Sequence, residues 1–281
     1  MIIARVMGGL GNQLFIYAAA RSLALRTGRE LKLDLINGFA EDTFGRSYLL
    51  DRFPIQATMA TADEVNLYYL NSKSLRRQRK LNRYLPCAWK NYYEERSLFD
   101  LSLTTFKPRR AQVYLEGYWQ RESYFTFHSF QIREELRPQV MLSAVDQFLA
   151  TQIEQSESVS LHIRRNDYAH VLGIGYYERA IKHMRSIVKK PVFFIFSDNP
   201  AWAKTHIPSA ADVIHVDSNT TPSGAVTDLH LMSCCRHHII ANSTFSWWGA
   251  WLAAHNKQKV VAPAHWGYRA APAMNWTVIP N

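Results

Sequence analysis

Four runs of apolar, β-branched and aromatic residues, Ile2 to Val6, Leu31 to Leu35, Val159 to Ile163 and Val192 to Phe196, each precede or follow a stretch of helical character. Strands that alternate with helices lie parallel, with the helices covering the sheet. The fold class this predicts is α/β with parallel sheets. The helical period is clearest over Gln13 to Arg26, where Leu14, Tyr17, Ala18, Arg21 and Leu25 recur every three or four positions and Gly28 stands at the stop. A chain of 281 residues is long enough for two domains, and the polar stretch "TQIEQSESV" (Thr151 to Val159) reads as their connector. The expected division is an N-terminal lobe over 1–154 and a C-terminal lobe over 155–281.

With 47% apolar and 20% charged residues the chain can bury real cores, which excludes disorder. No charged start leads into a long apolar run, so no signal peptide is expected. The most apolar late stretch, Ile239 to Ala254, is interrupted by Asn242, Ser243, Thr244 and Ser246 and is too short to span a bilayer. The expectation is a cytoplasmic protein. Cys87, Cys234 and Cys235 imply no disulfide framework, and "CCRHH" (Cys234 to His238) lacks the usual spacing of zinc ligands, so no metal is expected.

The formal charge of +10 favours an anionic substrate, an acidic lipid surface or nucleic acid, and charge alone does not choose among them. "NSKSLRRQRKLNRYL" (Asn71 to Leu85) sets Lys73, Arg76, Arg77, Arg79, Lys80 and Arg83 on an expected helix with few apolar positions. It is either a solvated face or a contact, through residues 73–83, with anionic headgroups or a charged acceptor at the inner face of a membrane. No nucleic-acid motif accompanies it, so nucleic acid is not an expected partner.

Chemistry concentrates at strand ends. "MGGLGNQ" (Met7 to Gln13) follows the first strand but fails both phosphate templates: no Lys-Ser/Thr pair follows Gly11, and Leu14 stands where a dinucleotide fingerprint has its third glycine. Gly9 and Gly11 still let a ligand approach the backbone, and the amides of Asn12 and Gln13 suit hydroxyls, which favours a sugar. "SLHIRRNDY" (Ser160 to Tyr168) delivers His162, Arg164, Arg165 and Asp167 at the carboxyl end of a strand, where open α/β sheets bind ligands. The guanidinium fork grips phosphate through two charge-assisted hydrogen bonds, so one arginine can reach ligand while the next, held by Asp167, braces the loop. The bland alternative is a paired Arg and Asp at a surface. "FFIFSDNPAW" (Phe193 to Trp202) brings Ser197 and Asp198 to a second strand end, where the carboxylate can accept from a base or ribose. "ANSTFSWWGAWLA" (Ala241 to Ala253) opens a helix with Ser243, Thr244 and Ser246, an N-terminus suited to an anion. Its Trp247, Trp248 and Trp251 are either core or a ligand stack, and the apolar area each buries favours core.

Taken together, "GGLGNQLFIYAAA", "LEGYWQRESYF", "HIRRNDY", "FSDNPAW" and "ANSTFSWWGAWLA", in that order, resemble the bacterial α-1,2-fucosyltransferases of glycosyltransferase family 11 from residue 6 to about residue 265; residues 40–110 carry little of the likeness. The resemblance implies a GT-B type fold, two Rossmann-like lobes with parallel sheets facing across a cleft. It also implies inverting transfer from GDP-β-L-fucose, a co-substrate, to the 2-hydroxyl of a terminal β-galactoside. That acceptor belongs to an oligosaccharide or a surface glycan of O-antigen type, lipid-linked or not, and neither a metal nor another cofactor is required. By the same resemblance the C-terminal lobe holds the donor: Arg164 grips the β-phosphate of the leaving group, Arg165 supports it, and His162 and Asp198 contact the guanosine. Ser197, Asn242, Ser243, Thr244, Phe245 and Ser246 line the nucleotide, while Gly9, Gly11, Asn12, Gln13, Glu116 and Trp119 face the sugar or acceptor from the N-terminal lobe. Glu116, Asp34 and Asp167 are all open as general base. The competing readings are GDP-fucose transfer with another linkage or acceptor and, in a different class, a basic protein that binds lipid or nucleic acid.

Overall fold

The computed structural model describes residues 1–40, 42–66, 68, 77, 80–82, 84–95, 102–166, 170–216, 222–253, 255–266, 273 and 275–281. The chain divides into two compact units, Met1–Leu136 and Arg137–Asn281.

In the N-terminal unit the described elements are β1 (Ile2–Arg5), α1 (Leu10–Thr27), β2 (Leu31–Asp34), β3 (Thr58–Met59), α2 (Ala62–Asn66), β4 (Tyr92–Glu94), α3 (Ser102–Thr105), β5 (Val113–Glu116) and α4 (Ser129–Glu135). The strands lie in the order β3-β2-β1-β5-β4, every pairing parallel, with Ile2 opposite Leu31 on one side and Val113 on the other. Helix α1 is apolar on most of its circumference and is buried accordingly. Its polar side chains must then find partners inside: the Tyr17 hydroxyl donates to Glu135 Oε2 at 2.5 Å, and Arg21 forks onto the same carboxylate, with Nη2 2.8 Å from Oε1, which ties α1 to α4. The expected start at Gln13 moves forward to Leu10, and the stop at Gly28 stands.

In the C-terminal unit α5 (Ala144–Glu154) precedes β6 (Glu157–Ile163), followed by α6 (Ile174–Ile187), β7 (Pro191–Ser197), α7 (Pro200–His206), β8 (Val213–His215), α8 (Pro222–Cys234), β9 (His237–Ile239), α9 (Thr244–Ala253), β10 (Val260–Pro263) and β11 (Thr277–Ile279). The strand order is β11-β10-β9-β6-β7-β8, again parallel throughout. Alternation along β6 and β7 splits the core: Val159, Leu161, Ile163, Phe193 and Ile195 pack under α6, whereas Phe194 and Phe196 pack with Leu231 and Met232 of α8. Leu149 and Ile153 of α5 join that second cluster. This corrects the expected boundary after residue 154: Leu149, and Ile153 within the polar run, anchor α5 to the C-terminal core, so α5 belongs to the C-terminal unit and the division falls after Leu136.

Candidate active site

Strands β6 and β7 pair without a slip from Glu157↔Pro191 to Ile163↔Ser197, so the next residues, Arg164 and Asp198, leave the sheet side by side. Arg164 Nε lies 3.2 Å from Asp198 Oδ2. The same carboxylate accepts from the backbone N–H of Arg165 at 2.8 Å and of Asn166 at 3.0 Å, and the Asn166 amide donates to the Asp198 carbonyl at 2.8 Å. The Asp198 side chain therefore braces the 164–166 loop. Arg165 is held in turn by its guanidinium 4.1 Å over the Trp202 ring and by an Nη1 bond to the Leu172 carbonyl. Trp202 is set by the α7 start, where the Asn199 side chain accepts from Trp202 N–H and Pro200 opens the helix. The Asp167 brace expected for Arg165 lies outside the described residues. Asp198 engages only Nε of Arg164, and among the described residues nothing pairs with its two terminal amino groups.

His162, two residues earlier on the same side of β6, is buried, with its ring 5.4 Å from Phe245. Burial, and secondarily the Arg164 charge, pushes its pKa down to about 3, so the imidazole is neutral at physiological pH, and its Nδ1 has no partner among the described residues. The buried Asn242 donates to the His170 carbonyl at 2.7 Å, while its Oδ1 is also without a partner there. Ser197, also buried, accepts from the Asn199 N–H. The Ser243 carbonyl receives the Trp247 N–H in the first turn of α9, whereas Thr244 and Phe245 are half-buried. Ser246, expected to line the nucleotide, is fully buried and donates to the carbonyls of Ala241 and Ser243, so its hydroxyl is engaged within the turn. Trp247, Trp248 and Trp251 are buried against one another as core.

A residue that the sequence reading missed lies on α8. Asp228 is buried, its Oδ1 has no partner among the described residues, and burial, with a smaller contribution from Asp146, pushes its pKa up to about 7. Helices α8 and α9 both start at the carboxyl edge of the sheet, and a Cβ on Gly249 would sit 2.8 Å from the Met232 side chain. One turn toward that edge on each helix sets Asp228 at the level of Phe245, the neighbour of His162. The available signal was a lone acid in the apolar stretch Ala225 to Met232.

The glycine turn of the N-terminal unit is built differently. Gly8 adopts φ +77°, and a Cβ there would lie 2.7 Å from Asn12 Nδ2, so the turn requires glycine. Gly9 caps α1 from an extended conformation, and the nearest atom to a Cβ there is Arg46 Nε at 4.0 Å, so its expected place at the sugar is open on that side. Asn12 accepts from the Gln120 amide at 2.8 Å. Most of the rest of the expected sugar side is spent internally, although the buried Trp119 Nε1 has no partner among the described residues. Gly11 is buried in the first turn; Gln13 donates to the carbonyls of Gly8 and Ser47 and accepts from Leu49 N–H. Glu116 is engaged by Arg5 at 2.6 Å and by the Tyr92 hydroxyl. Trp119 is sealed between Tyr93 and Tyr124. Of the candidate bases, Asp34 is buried and accepts from Asn37 and from the Tyr114 hydroxyl.

Comparison with known proteins decides the family. The profile described as Glycosyl transferase family 11 matches residues 1–271. The chain belongs to glycosyltransferase family 11. An Escherichia coli α-1,2-colitosyltransferase is 32% identical over 95% of this chain and 92% of its own. The E. coli O-antigen biosynthesis glycosyltransferase WbnK is 32% identical over 92% of each chain. Among solved structures, the Bradyrhizobium NodZ α-1,6-fucosyltransferase soaked with GDP-fucose has the same fold, at TM-score 0.53 and 17% identity over 89% of this chain and 92% of that one. The family 11 chain is thus a glycosyltransferase with the GT-B type fold, and a basic binding protein without catalytic activity is set aside. Among the described residues no group of three His, Cys, Asp or Glu side chains could hold a metal ion, and no helix is long and apolar enough to cross a membrane.

Proposed function

We propose that this family 11 enzyme transfers L-fucose from GDP-β-L-fucose, with inversion and without a metal, to the 2-hydroxyl of a terminal β-galactoside on an O-antigen-type glycan. The observation that carries this reading is the Arg164 guanidinium, fixed through Nε by Asp198 while its two amino groups carry no partner among the described residues. As the acceptor oxygen bonds to C1 of fucose, the C1–O bond to GDP breaks and its electron pair passes to the β-phosphate. A cation already fixed there stabilises that charge without reorganising, the role a divalent ion takes elsewhere. The acceptor hydroxyl loses its proton as the new bond forms, and that proton passes to the solvent or to the departing phosphate. Neither Asp34 nor Glu116, both bonded internally, is well disposed to take it.

At the base end, the neutral His162, the Phe245 ring and one oxygen each of Asp228 and Asn242, without a partner among the described residues, suit a guanine, which offers two adjacent N–H donors and a flat face. The colitosyltransferase relative favours a second reading in which the diphosphonucleoside is kept and the sugar is colitose, the 3-deoxy form of fucose. The experiment that separates the two supplies GDP-fucose or GDP-colitose with lactose in excess EDTA and follows GDP release, product mass and linkage. A fucosyl-α-1,2-galactose product supports the first reading; turnover of GDP-colitose alone supports the second; another linkage from GDP-fucose redefines the acceptor; and loss of activity in EDTA refutes the metal-free step.

A further inference from the structure

Much of the chain's excess of positive charge lies in residues 71–115, which hold eleven Lys and Arg against Glu94, Glu95 and Asp100. Residues 71–93 hold seven cations and residues 102–115 three, with no Asp or Glu in either stretch. These two stretches supply ten of the 33 Lys and Arg; the acids between them are Glu94, Glu95 and Asp100. The described residues join the two stretches on the N-terminal unit. Arg109 and Arg110 lie 5.5 and 5.6 Å from the Trp89 ring centre, Arg110 Nε donates to the Trp89 carbonyl, and Arg109 N–H donates to the Ala88 carbonyl at 2.7 Å.

Beside them a turn is pinned from beneath. Asn82 is buried, donates to the Tyr92 carbonyl of β4 and accepts from Asn91 N–H. Its neighbours project outward: Tyr84 is 88% exposed, Leu81 67% and Trp89 44%, with Leu85 and Lys80 also exposed. Exposing large apolar side chains is unfavourable unless something covers them. Aliphatic tips, Tyr and Trp with one polar end, and a surround of cations match in turn the acyl boundary, the headgroup level and the phosphates of an anionic bilayer. A nucleic acid would use the cations and rings but leave Leu81 and Leu85 without a partner.

We propose that this face docks the enzyme on an anionic lipid surface. The proposal does not rest on the transfer reading, since vesicle binding and GDP release on lactose are measured independently. The test sediments the full chain with phosphatidylglycerol-rich vesicles and with phosphatidylcholine vesicles. Binding to the first, weakened by salt, and none to the second is expected. Lys80→Glu should lower partitioning by about fivefold or more, from the typical worth of one cation near an anionic surface. Tyr84→Ser, at a side chain too exposed to affect folding, should also lower it while leaving turnover of lactose unchanged. Equal binding to both vesicles, no loss in either variant, or a DNA duplex that displaces the protein from vesicles through the same residues would overturn the proposal.

Discussion

The turn after β1 and the turn after β6 occupy equivalent places, each at the carboxyl end of an inner parallel strand, and each is rich in polar side chains. They differ in what those side chains have left to give. After β1, Gln13 makes three bonds within the unit, and at the ends of the flanking strands Glu116 of β5 is taken by Arg5 and Tyr92, and Asp34 of β2 by Asn37 and Tyr114. After β6, Asp198 spends itself on the loop so that Arg164 does not, and His162, Asn242 and Asp228 each keep a buried atom without a partner among the described residues. A buried polar atom left unpaired costs about 1–3 kcal/mol, so those of His162, Asn242 and Asp228 are atoms that a ligand could satisfy. Unspent capacity is not confined to this edge, since among the described residues Asn37 Oδ1, Trp119 Nε1 and both ring nitrogens of His238 are also buried without a partner; what sets this edge apart is a fixed cation, Arg164, beside it.

The harshest way to break the contrast removes the unspent group. Arg164→Ala should lower kcat by roughly 10² to 10⁴, as loss of a single preorganised electrostatic donor does, with little change in unfolding temperature. Asp198→Ala should lower kcat by a smaller factor, about 10 to 100, and also destabilise, because two loop N–H groups lose their acceptor. If Asp198 acts through Arg164, the double variant should be barely slower than Arg164→Ala alone, read as GDP release at saturating donor. Additive losses would mean that Asp198 meets the ligand itself.

That distinction was only half legible in the sequence. The apolar runs at Ile2, Leu31, Val159 and Val192 mark parallel strands because strand and helix periods are local properties, and Gly28 marks the α1 stop for the same reason. His162, Arg164 and Asp198 are visible as strand-end residues. Which strand neighbours which is not local, so the register that sets Arg164 against Asp198, and makes Asp198 a brace, emerges only from the sheet. Gln13 and Trp119 misled in the opposite sense: an amide beside glycines suits a sugar until residues 47–49 are seen to fold over it, and a tryptophan in an aromatic run suits a platform until Tyr93 and Tyr124 enclose it. Asp228 went unmarked because its meaning lies in the helix packed against it.

Asp228 sharpens the contrast through pH. Its carboxyl keeps its proton in the folded chain up to about pH 7, against 3.8 when exposed, so the native state binds more protons than the unfolded one between those values. Stability should therefore fall as pH rises from about 4 to 7, by about 4 kcal/mol in all at 1.36 kcal/mol per unit, and level off above. Asp228→Asn should flatten that slope and raise the unfolding temperature at pH 8. If the ionised carboxylate receives the guanine donors, GDP affinity in the parent rises with pH up to about 7 and the Asn variant lacks that component. Comparing the two on the same ligand cancels the titration of the phosphate. A parent and a variant with parallel affinity profiles would leave Asp228 as a buried acid with no part in binding.

The smallest effect on catalysis belongs to the turn whose bonds are closed. Gln13→Ala removes two donors and one acceptor from a fully buried position, which strands the carbonyls of Gly8 and Ser47 and the Leu49 N–H. By the usual cost of buried groups left unpaired, folding should lose about 2–4 kcal/mol, visible as a lower denaturant midpoint. Below that midpoint, kcat and the KM for lactose per folded molecule should stay within about twofold of the parent, because no bond of Gln13 remains to be offered to a sugar. A variant that unfolds at the parent's midpoint yet loses its affinity for lactose would reverse the assignment: the amide would then be reaching the acceptor, with residues 47–49 opening to let it do so.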